Sequence, residues 1–571
     1  NLRLKEKKEG FYYLHILSAA HSVTCYVNRR RAGTRQGAVS RVSFDITRYL
    51  TAERDNYIVL TVDNGAAPCV LPQNLEALTQ NGLLGEVFLE YVPAFSFRRN
   101  LFGRTAVFCS SQEQDGQDYL HLSAQIQNPP PGSRLGFDLR TQEGEKLMSA
   151  LLPASEEAAL SLPAGKLKAL TQEDPAASFR LTASLYAEGR LSDRFTETVG
   201  IRQIACRRGA LYLNSEKIRL RGLRFTRSRA SYNAPYYGLP ESKADSAFAF
   251  GINLWDIRCC PFNPYFNDEA TGSGFALAPA LPLTGPLGRE IRCLDRAREA
   301  LQALIYQYYN QPSVLYWTLG FDMPDPLKDE ALFARLKNLR ALCFDLDPSR
   351  PAALILQDVP APDPRLSELA DIYIFSISAA AESYEIAAFR QKIEALKEAL
   401  PELVLGVEIK DDETQAAGSE TVPAAREASE AFLLEEITRG DEAAIVIFSD
   451  DTLRRPSEET QDLQFFPGAG EQDYTDRFYL YKAFFSGDDF VHIARSSLPE
   501  KAGRAELVLY RGSREAELFI NGVSAGHGSG TRRQLYTELP LQSGMNEILA
   551  RTETKSDRLF YYCAPSESGE A

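Results

Sequence analysis

The feature that most constrains the fold is a regular alternation of short apolar runs and helical stretches across residues 206–486. Eight runs have the length and composition of buried strands, and they lie at 218–223, 252–257, 274–278, 314–319, 352–356, 372–377, 403–408 and 444–448. Helical periodicity falls between them, most plainly at 292–309, 328–344, 380–400 and 424–438. Eight strands alternating with helices within about 280 residues predict a (β/α)8 TIM barrel.

The segments on both sides of the predicted barrel alternate apolar and polar residues with the period of half-buried strands. Residues 96–205 contain about seven short strands broken by Pro and Gly clusters, a pattern typical of an immunoglobulin-like sandwich. Residues 487–571 repeat this pattern and include an Asn-Gly turn after a strand, which predicts a second sandwich. Residues 1–95 form a further β domain, so we expect four domains with boundaries near 95, 205 and 486.

Composition limits the partners and the compartment of the chain. The net charge of -14 argues against nucleic-acid binding, which needs clustered Lys and Arg. No apolar run is long enough to cross a bilayer, and residues 1–8 do not form a secretory signal. The chain begins without Met, which leaves open whether a targeting segment precedes it. Nine scattered cysteines form neither a disulfide framework nor a metal spacing, which favours reduced thiols and a cytoplasmic location.

Two carboxylates end strands of the predicted barrel. Residues 308–322 read YYNQPSVLYWTLGFD, the end of a helix followed by a turn and a strand that stops on Asp322. Glu408 ends the seventh strand. Reacting groups lie at this end of TIM-barrel strands, and a retaining glycosidase needs one acid to protonate the leaving oxygen and one carboxylate to attack the anomeric carbon. A solvated strand end is the alternative interpretation of Glu408.

The segment 308–322 resembles the acid/base signature of glycoside hydrolase family 2, which contains β-galactosidases and β-glucuronidases. Residues 401–408 are similar to the nucleophile strand of that family. The resemblance implies a retaining β-glycosidase with Asp322 as acid/base and Glu408 as nucleophile. It also implies that residues 1–95 are a partial jelly-roll domain, that Trp317 belongs to the substrate site, and that the C-terminal sandwich is an accessory domain.

The two last residues of the signature depart from the family pattern. Asp322 stands where the family has Glu, and its side chain is shorter by one methylene, which would weaken proton transfer over a hydrogen bond. Phe321 stands where the family has an Asn that donates to the sugar hydroxyl next to the anomeric carbon. A phenyl ring cannot make that hydrogen bond, which strengthens in the transition state.

Further substrate-binding positions of the family are also replaced in this sequence. After the first strand, Arg224 and Thr226 replace the Asn and His of the family. After the second strand, Asp256 occupies the position of an Arg and Cys259 that of a His. Arg258 could substitute for the missing Arg only if this strand is offset.

Aromatic and histidine residues complete the prediction. Phe448 ends the eighth strand where relatives carry the Trp of the sugar subsite, and barrel packing is its alternative role. All five histidines lie outside residues 206–485, which excludes histidine-based acid/base or zinc chemistry in the barrel. Phosphate-loop, nucleophile-elbow and Cys-x-x-Cys motifs are absent from the sequence, so no cofactor or metal is expected.

Two functions remain open on the sequence alone. One is a retaining β-glycosidase related to family 2. The other is a catalytically inactive relative that binds carbohydrate or assembles with another subunit, or with further copies of itself. The replaced positions favour loss of activity toward standard substrates.

Overall fold

The computed structural model describes residues 1–20, 22–36, 41–63, 82–83, 85–100, 102, 104–114, 117–165, 167, 177–225, 251–258, 274, 276–284, 291–410, 424–438, 443–449, 476–486, 488–495, 498–499, 501–512, 515–529 and 533–565. None of the helices described is long and apolar enough to cross a membrane.

The N-terminal region is made of short antiparallel strands. They are β1 (Leu2–Arg3), β2 (Gly10–Ile16), β3 (Ala19–Ala20), β4 (Ser22–Val27), β5 (Arg30–Gln36), β6 (Val42–Asp45), β7 (Asp55–Asn56), β8 (Ile58–Asp63), β9 (Gly82–Leu83) and β10 (Val87–Pro93), with a 3-10 turn at Thr47–Tyr49. Two three-stranded sheets, β10-β2-β6 and β5-β4-β8, enclose one core. Alternate residues of β4 are buried, as the period of two in its sequence predicts.

The next region is a sandwich of two antiparallel sheets. Its strands are β11 (Ser96–Phe97), β12 (Val107–Gln114), β13 (Gln117–Gln127), β14 (Arg134–Arg140), β15 (Lys146–Pro153), β16 (Glu157–Pro163), β17 (Phe179–Ala187) and β18 (Arg190–Val199). One sheet pairs β13 with β11, β12 and β16, and the other has the order β15-β14-β17-β18. Their facing apolar side chains form a separate core.

A small sheet of β19 (Ile204–Arg207), β20 (Ala210–Leu213) and β21 (Glu216–Ile218) connects the sandwich to the barrel. Leu211, Leu213 and Ile218 pack into the same cluster as the inward-facing side chains of the barrel strands. The sheet therefore closes the end of the barrel at which the parallel strands begin.

Eight parallel strands form the barrel predicted from the sequence. They are β22 (Leu220–Phe225), β23 (Leu254–Ile257), β24 (Ala276–Pro279), β25 (Trp317–Thr318), β26 (Ala352–Leu356), β27 (Ile372–Ser378), β28 (Val404–Lys410) and β29 (Ile445–Ser449). They are hydrogen-bonded in the order β24-β23-β22-β29-β28-β27-β26-β25. Parallel bridges from Leu277 to Val314 and from Ala280 to Thr318 join the two ends of this order, which closes the ring.

Helices pack around the barrel as α1 (Ile291–Tyr308), α2 (Glu330–Leu346), α3 (Ser383–Ala399), α4 (Ala424–Thr438) and α5 (Asp476–Phe485), with 3-10 turns at Pro326–Lys328 and Pro364–Glu368. Successive strand residues point to opposite faces. Ile374 therefore joins the cluster inside the barrel, while Tyr373 and Phe375 join the layer between strands and helices. The fold class predicted from the sequence is confirmed.

Two strand boundaries differ from the prediction in a way that matters for the site. The first barrel strand begins at Leu220, because Ile218 belongs to the closing sheet. The seventh strand continues past Glu408 to Lys410. A second side chain of this strand therefore lies on the same face as Glu408.

The C-terminal region is a second pair of antiparallel sheets. Its strands are β30 (Val491–Ile493), β31 (Gly503–Arg511), β32 (Glu515–Ile520), β33 (Val523–Ser529), β34 (Arg533–Leu541), β35 (Gly544–Arg551) and β36 (Ser556–Cys563). The sheets β30-β31-β34 and β33-β32-β35-β36 enclose one apolar core. The exact domain boundaries stay predictions.

The sandwich and the barrel are joined by buried polar contacts. The Asn310 amide accepts from the backbone N–H of Cys109 at 2.8 Å and donates to the carbonyl of Val107 at 2.9 Å. Ser111 and Arg202 exchange two hydrogen bonds, from Ser111 Oγ to the Arg202 carbonyl at 2.7 Å and from the Arg202 N–H to Ser111 Oγ at 2.8 Å. These contacts fix the outer edge of β12 against the connection into the barrel.

Candidate active site

Glu408 lies inside the mouth of the barrel, at the end where the strands finish. Its side chain is only 1% exposed. Oε1 accepts a hydrogen bond from Arg224 Nη1 at 3.0 Å and lies 2.7 Å from Arg258 Nη1, while Oε2 accepts from Ser376 Oγ at 2.8 Å. Both carboxylate oxygens therefore have partners inside the protein, and the solvated alternative for Glu408 does not apply.

Arg258 connects three of the predicted positions. Its Nε donates to Asp256 Oδ2 at 2.6 Å, and its guanidinium lies 5.4 Å from the centre of the Phe321 ring. Asp256 and Arg258 are two residues apart along the same extended segment, so both side chains point to the same face, into the barrel. Arg258 thus reaches Glu408 from a position offset from that of the family Arg.

Asp322 lies at the same mouth and forms an ion pair with Lys410. Its backbone has φ +53°, a left-handed conformation that Asp adopts more readily than most residues. The Asp322 and Lys410 side chains are 36% and 28% exposed, whereas Glu408 is closed off from solvent. Lys410 was missed by the sequence analysis, and extending the inward periodicity of the seventh strand by two residues would have found it.

The cluster has three cations and three carboxylates, and their proximity sets their ionisation. Burial acts to raise the pKa of Glu408, but Arg258, Arg224, Lys410 and the Ser376 hydroxyl outweigh it and lower the pKa to about 2. Glu408 is therefore ionised at neutral pH.

The pKa values of the buried pair Asp256 and Arg258 are both raised. Burial and the nearby Glu408 charge raise the pKa of Asp256, although Arg258 opposes them. Burial would lower the pKa of the Arg258 guanidinium, but the carboxylates of Asp256, Glu408 and Asp322 together raise it. Arg258 is thus the shared positive charge of the cluster.

Below the cluster, several buried polar atoms point into the barrel. Tyr316 and Thr318 are both fully buried, and their hydroxyl oxygens have no hydrogen-bond partner within the described part of the chain; the same is true of Asp256 Oδ1. The nearby Asp256 contributes to raising the pKa of Tyr316, after burial itself. Sequence reasoning missed these two hydroxyls because they precede the strand end on which it concentrated.

Trp317 and Phe448 lie away from this cluster, which does not support their prediction as substrate contacts. Trp317 is fully buried and its indole N–H donates to Asp347 at 2.9 Å. Phe448 is fully buried against Tyr481, with ring centres 4.7 Å apart. Both occupy outward positions of their strands, where the period of two directs side chains to the helical layer. For Phe448 this placement matches the alternative of barrel packing.

The structure thus brings together Arg224, Asp256, Arg258, Phe321, Asp322 and Glu408 from the predicted set. Thr226 and Cys259 lie outside the described residues. Within the described ranges, no group of three or more His, Cys, Asp or Glu side chains is arranged to hold a metal ion.

Comparison with known proteins identifies the lineage. A provisionally named β-glucuronidase of Formosa agariphila is 23% identical over 96% of this chain and 72% of its own length. A β-glucuronidase of Bacteroides fragilis is 21% identical over 57% of the chain. The chain is a divergent relative of the family 2 glycoside hydrolases. It spans about half of the length of the B. fragilis enzyme, 49%.

Solved structures agree on the fold of this family 2 relative. An FMN-binding β-glucuronidase of Faecalibacterium prausnitzii superposes with a TM-score of 0.79 at 21% identity, covering 99% of this chain and 89% of the other. A β-glucuronidase of Bacteroides uniformis superposes with a TM-score of 0.75 at 18% identity, covering 99% and 74%. No protein-family model matches the sequence.

Proposed function

We propose that this protein binds β-linked glycosides at the mouth of its barrel and does not hydrolyse them by the retaining route. The observation that carries the proposal is the ion pair between Asp322 and Lys410. A general acid must carry a proton and reach the leaving oxygen. Lys410 occupies the Asp322 carboxylate that would have to face the leaving oxygen, and the shorter Asp side chain adds distance.

The surroundings of Glu408 support the same proposal. A nucleophile needs an oxygen that the anomeric carbon can approach. Here Oε1 faces two guanidinium groups, Oε2 faces Ser376, and the side chain is 1% exposed. Phe321 adds a ring next to Arg258, at the position from which the family Asn would bond the sugar.

We propose β-glucuronides as the class of ligand. Lys410 is paired with Asp322, so Arg224, whose side chain is 16% exposed, is the cation of the cluster that remains for a ligand at the mouth. A cation that is open at the mouth can pair with the carboxylate of a uronic acid. Relatives named β-glucuronidases favour this class over neutral galactosides.

A slow retaining hydrolase is the second candidate, with Asp322 as acid/base and Glu408 as nucleophile. It is favoured by the ionised state of Glu408, whose pKa of about 2 suits a nucleophile at neutral pH. In this candidate Lys410 releases Asp322 when the sugar binds.

Two substrates that differ in their need for an acid separate the candidates. Dinitrophenyl β-glucuronide has a leaving group that departs without protonation, whereas methyl β-glucuronide needs a proton at the leaving oxygen. The proposal expects that titration calorimetry detects binding of methyl β-glucuronide and that neither compound is turned over. Turnover of the dinitrophenyl compound, with a fluoro-sugar attached to Glu408 in the wild type and not in Glu408→Gln, would establish the second candidate.

The Lys410→Met variant tests the role of the ion pair. If Lys410 alone keeps Asp322 from acting, the variant gains turnover of methyl β-glucuronide. Wild-type turnover of that glycoside would overturn the proposal directly. Assembly with further copies or another subunit stays a prediction, which light scattering of the full chain can check.

A further inference from the structure

A second polar cleft lies at the opposite end of the barrel from the candidate active site. It occupies about 380 Å³ between the sandwich strand β12, the closing strands β19 and β20, and the loop that carries Pro348 and Ser349. This volume falls within the range of small-molecule sites, roughly 300–1,000 Å³, and such sites are common between domains.

Rigid contacts shape this base cleft. The two hydrogen bonds between Ser111 and Arg202 join its walls at one end. Gln203 donates to Asp118 at 2.6 Å, and the Ser349 hydroxyl donates to Asp347 at 2.5 Å. Because the walls meet at Ser111, an extended peptide cannot run through the cleft between the two strand edges. A compact ligand fits this shape better.

Four further polar side chains of the lining are available to a ligand. Gln112, Glu113, Arg207 and Tyr212 all line the cleft. Within the described part of the chain, no hydrogen bond or ion pair engages the polar ends of these four side chains. Gln112, Glu113 and Arg207 are exposed, and Tyr212 is half-buried. They sit on strands, which hold side chains more firmly than a mobile loop would.

We propose that the base cleft binds a neutral mono- or disaccharide. One carboxylate and one guanidinium balance each other, so the lining carries no excess charge for a phosphate or a uronic acid. The charged ends of Glu113 and Arg207 can bond sugar hydroxyls as acceptor and donor, while the Gln112 amide, on the other face of β12, can bond a hydroxyl at the edge of the cleft. The Tyr212 ring and the apolar Pro348 can cover the C–H face of a pyranose. The site is separate from the barrel mouth and does not depend on the function proposed there.

Saturation-transfer NMR on the full chain, followed by titration calorimetry, tests the proposal. The probes are methyl β-galactoside, lactose and cellobiose. We expect at least one to bind, and we expect Tyr212→Ala and Arg207→Ala each to weaken that binding by roughly tenfold or more, as loss of a central contact does. Tyr57→Ala, at an exposed tyrosine of the N-terminal region that is 55% exposed, is the matched control and should leave binding unchanged.

Two results would overturn the proposal. One is that none of the three sugars binds at millimolar concentrations. The other is that binding survives the cleft variants and is lost in Arg224→Ala, which would assign it to the barrel mouth. Gln112→Ala lies on an exposed strand position and keeps the test valid if Tyr212→Ala unfolds the protein, which circular dichroism would reveal.

Discussion

Replacing Glu408 with Gln should destabilise the barrel, because the side chain is a buried anion among three cations. Its pKa falls from 4.5 to about 2, and each pKa unit corresponds to about 1.4 kcal/mol of preference for the charged form in the folded state. The structure therefore predicts a loss of about 3 kcal/mol at neutral pH, in line with the roughly 3–5 kcal/mol for breaking a buried ion pair.

The pH dependence of this loss has a definite sign. A carboxyl group whose pKa is lowered by folding stabilises the protein above its unfolded pKa, and that contribution disappears as the pH falls toward the folded pKa. The difference between wild type and Glu408→Gln should therefore be full above about pH 5 and should shrink steadily between pH 4.5 and about 2.

Tryptophan fluorescence measures this effect in the right part of the molecule. The chain has only two tryptophans, Trp255 and Trp317, and both are fully buried in the barrel. Urea unfolding followed by their emission reports the barrel and is insensitive to the β domains. Glu398→Gln, at an exposed position of α3, is the matched control and should change the free energy of unfolding by less than about 0.5 kcal/mol.

One result would refute the reasoning. If Glu408→Gln is as stable as the wild type at neutral pH, or more stable, the ionised carboxylate does not stabilise the folded protein. Catalytic groups often show this behaviour, since activity is retained at a cost in stability. That outcome would contradict the ion-pair interpretation and favour the slow hydrolase.

Three further predictions follow from other contacts. Trp317→Phe removes the donor to Asp347 and should cost about 1–3 kcal/mol, measured by urea unfolding, without changing glucuronide binding. Gly251→Ala should lower the free energy of unfolding by about 2 kcal/mol or more, because left-handed backbone strain adds to overpacking. The backbone has φ +84°, and a Cβ would lie 2.4 Å from the Phe485 carbonyl oxygen. Thermal unfolding measures this loss. Arg258→Lys should cost about 2 kcal/mol, because Lys cannot reproduce the planar contacts of the guanidinium, and a cycle with Glu408→Gln should show strong coupling.

A matched glycine variant and a double-mutant cycle provide the controls for these predictions. Gly132 also has positive φ, at +77°, but a Cβ there would meet nothing within 4 Å. Gly132→Ala should therefore cost only the roughly 1–2 kcal/mol of left-handed backbone strain. Equal losses at both glycines would exclude the clash with Phe485. Additive effects of the two substitutions at Arg258 and Glu408 would show that these residues do not act as a pair.

The fold followed from the sequence because the strand and helix periods are local properties. The apolar runs around Trp255, Ile374 and Val446 are short, separated by helical stretches and of the number that a barrel needs. The end of the seventh strand was predicted two residues early, because Ile409 and Lys410 fit the start of a loop as well as a continuation of the strand.

The structure brings six of the eight predicted site residues together, and one physical reason explains why Trp317 and Phe448 lie apart from them. Side chains of a strand alternate between the inside and the outside of the barrel. Which alternate set (parity) points inward is known only once the register of the strand in the barrel is known. Trp317 and Phe448 were placed in the site by position in a motif, whereas their parity directs them outward. Asp256 and Arg258 have the same parity as each other, which explains how Arg258 reaches Glu408 from its offset position.

Asn310 belongs to the segment 308–322, but its side chain contacts the sandwich domain outside the barrel. Its amide presents one donor and one acceptor to the free edge of β12, as a neighbouring strand would. A strand edge left open can pair with other chains. The segment that leads to Asp322 therefore also covers part of a sandwich edge that could otherwise pair with another chain.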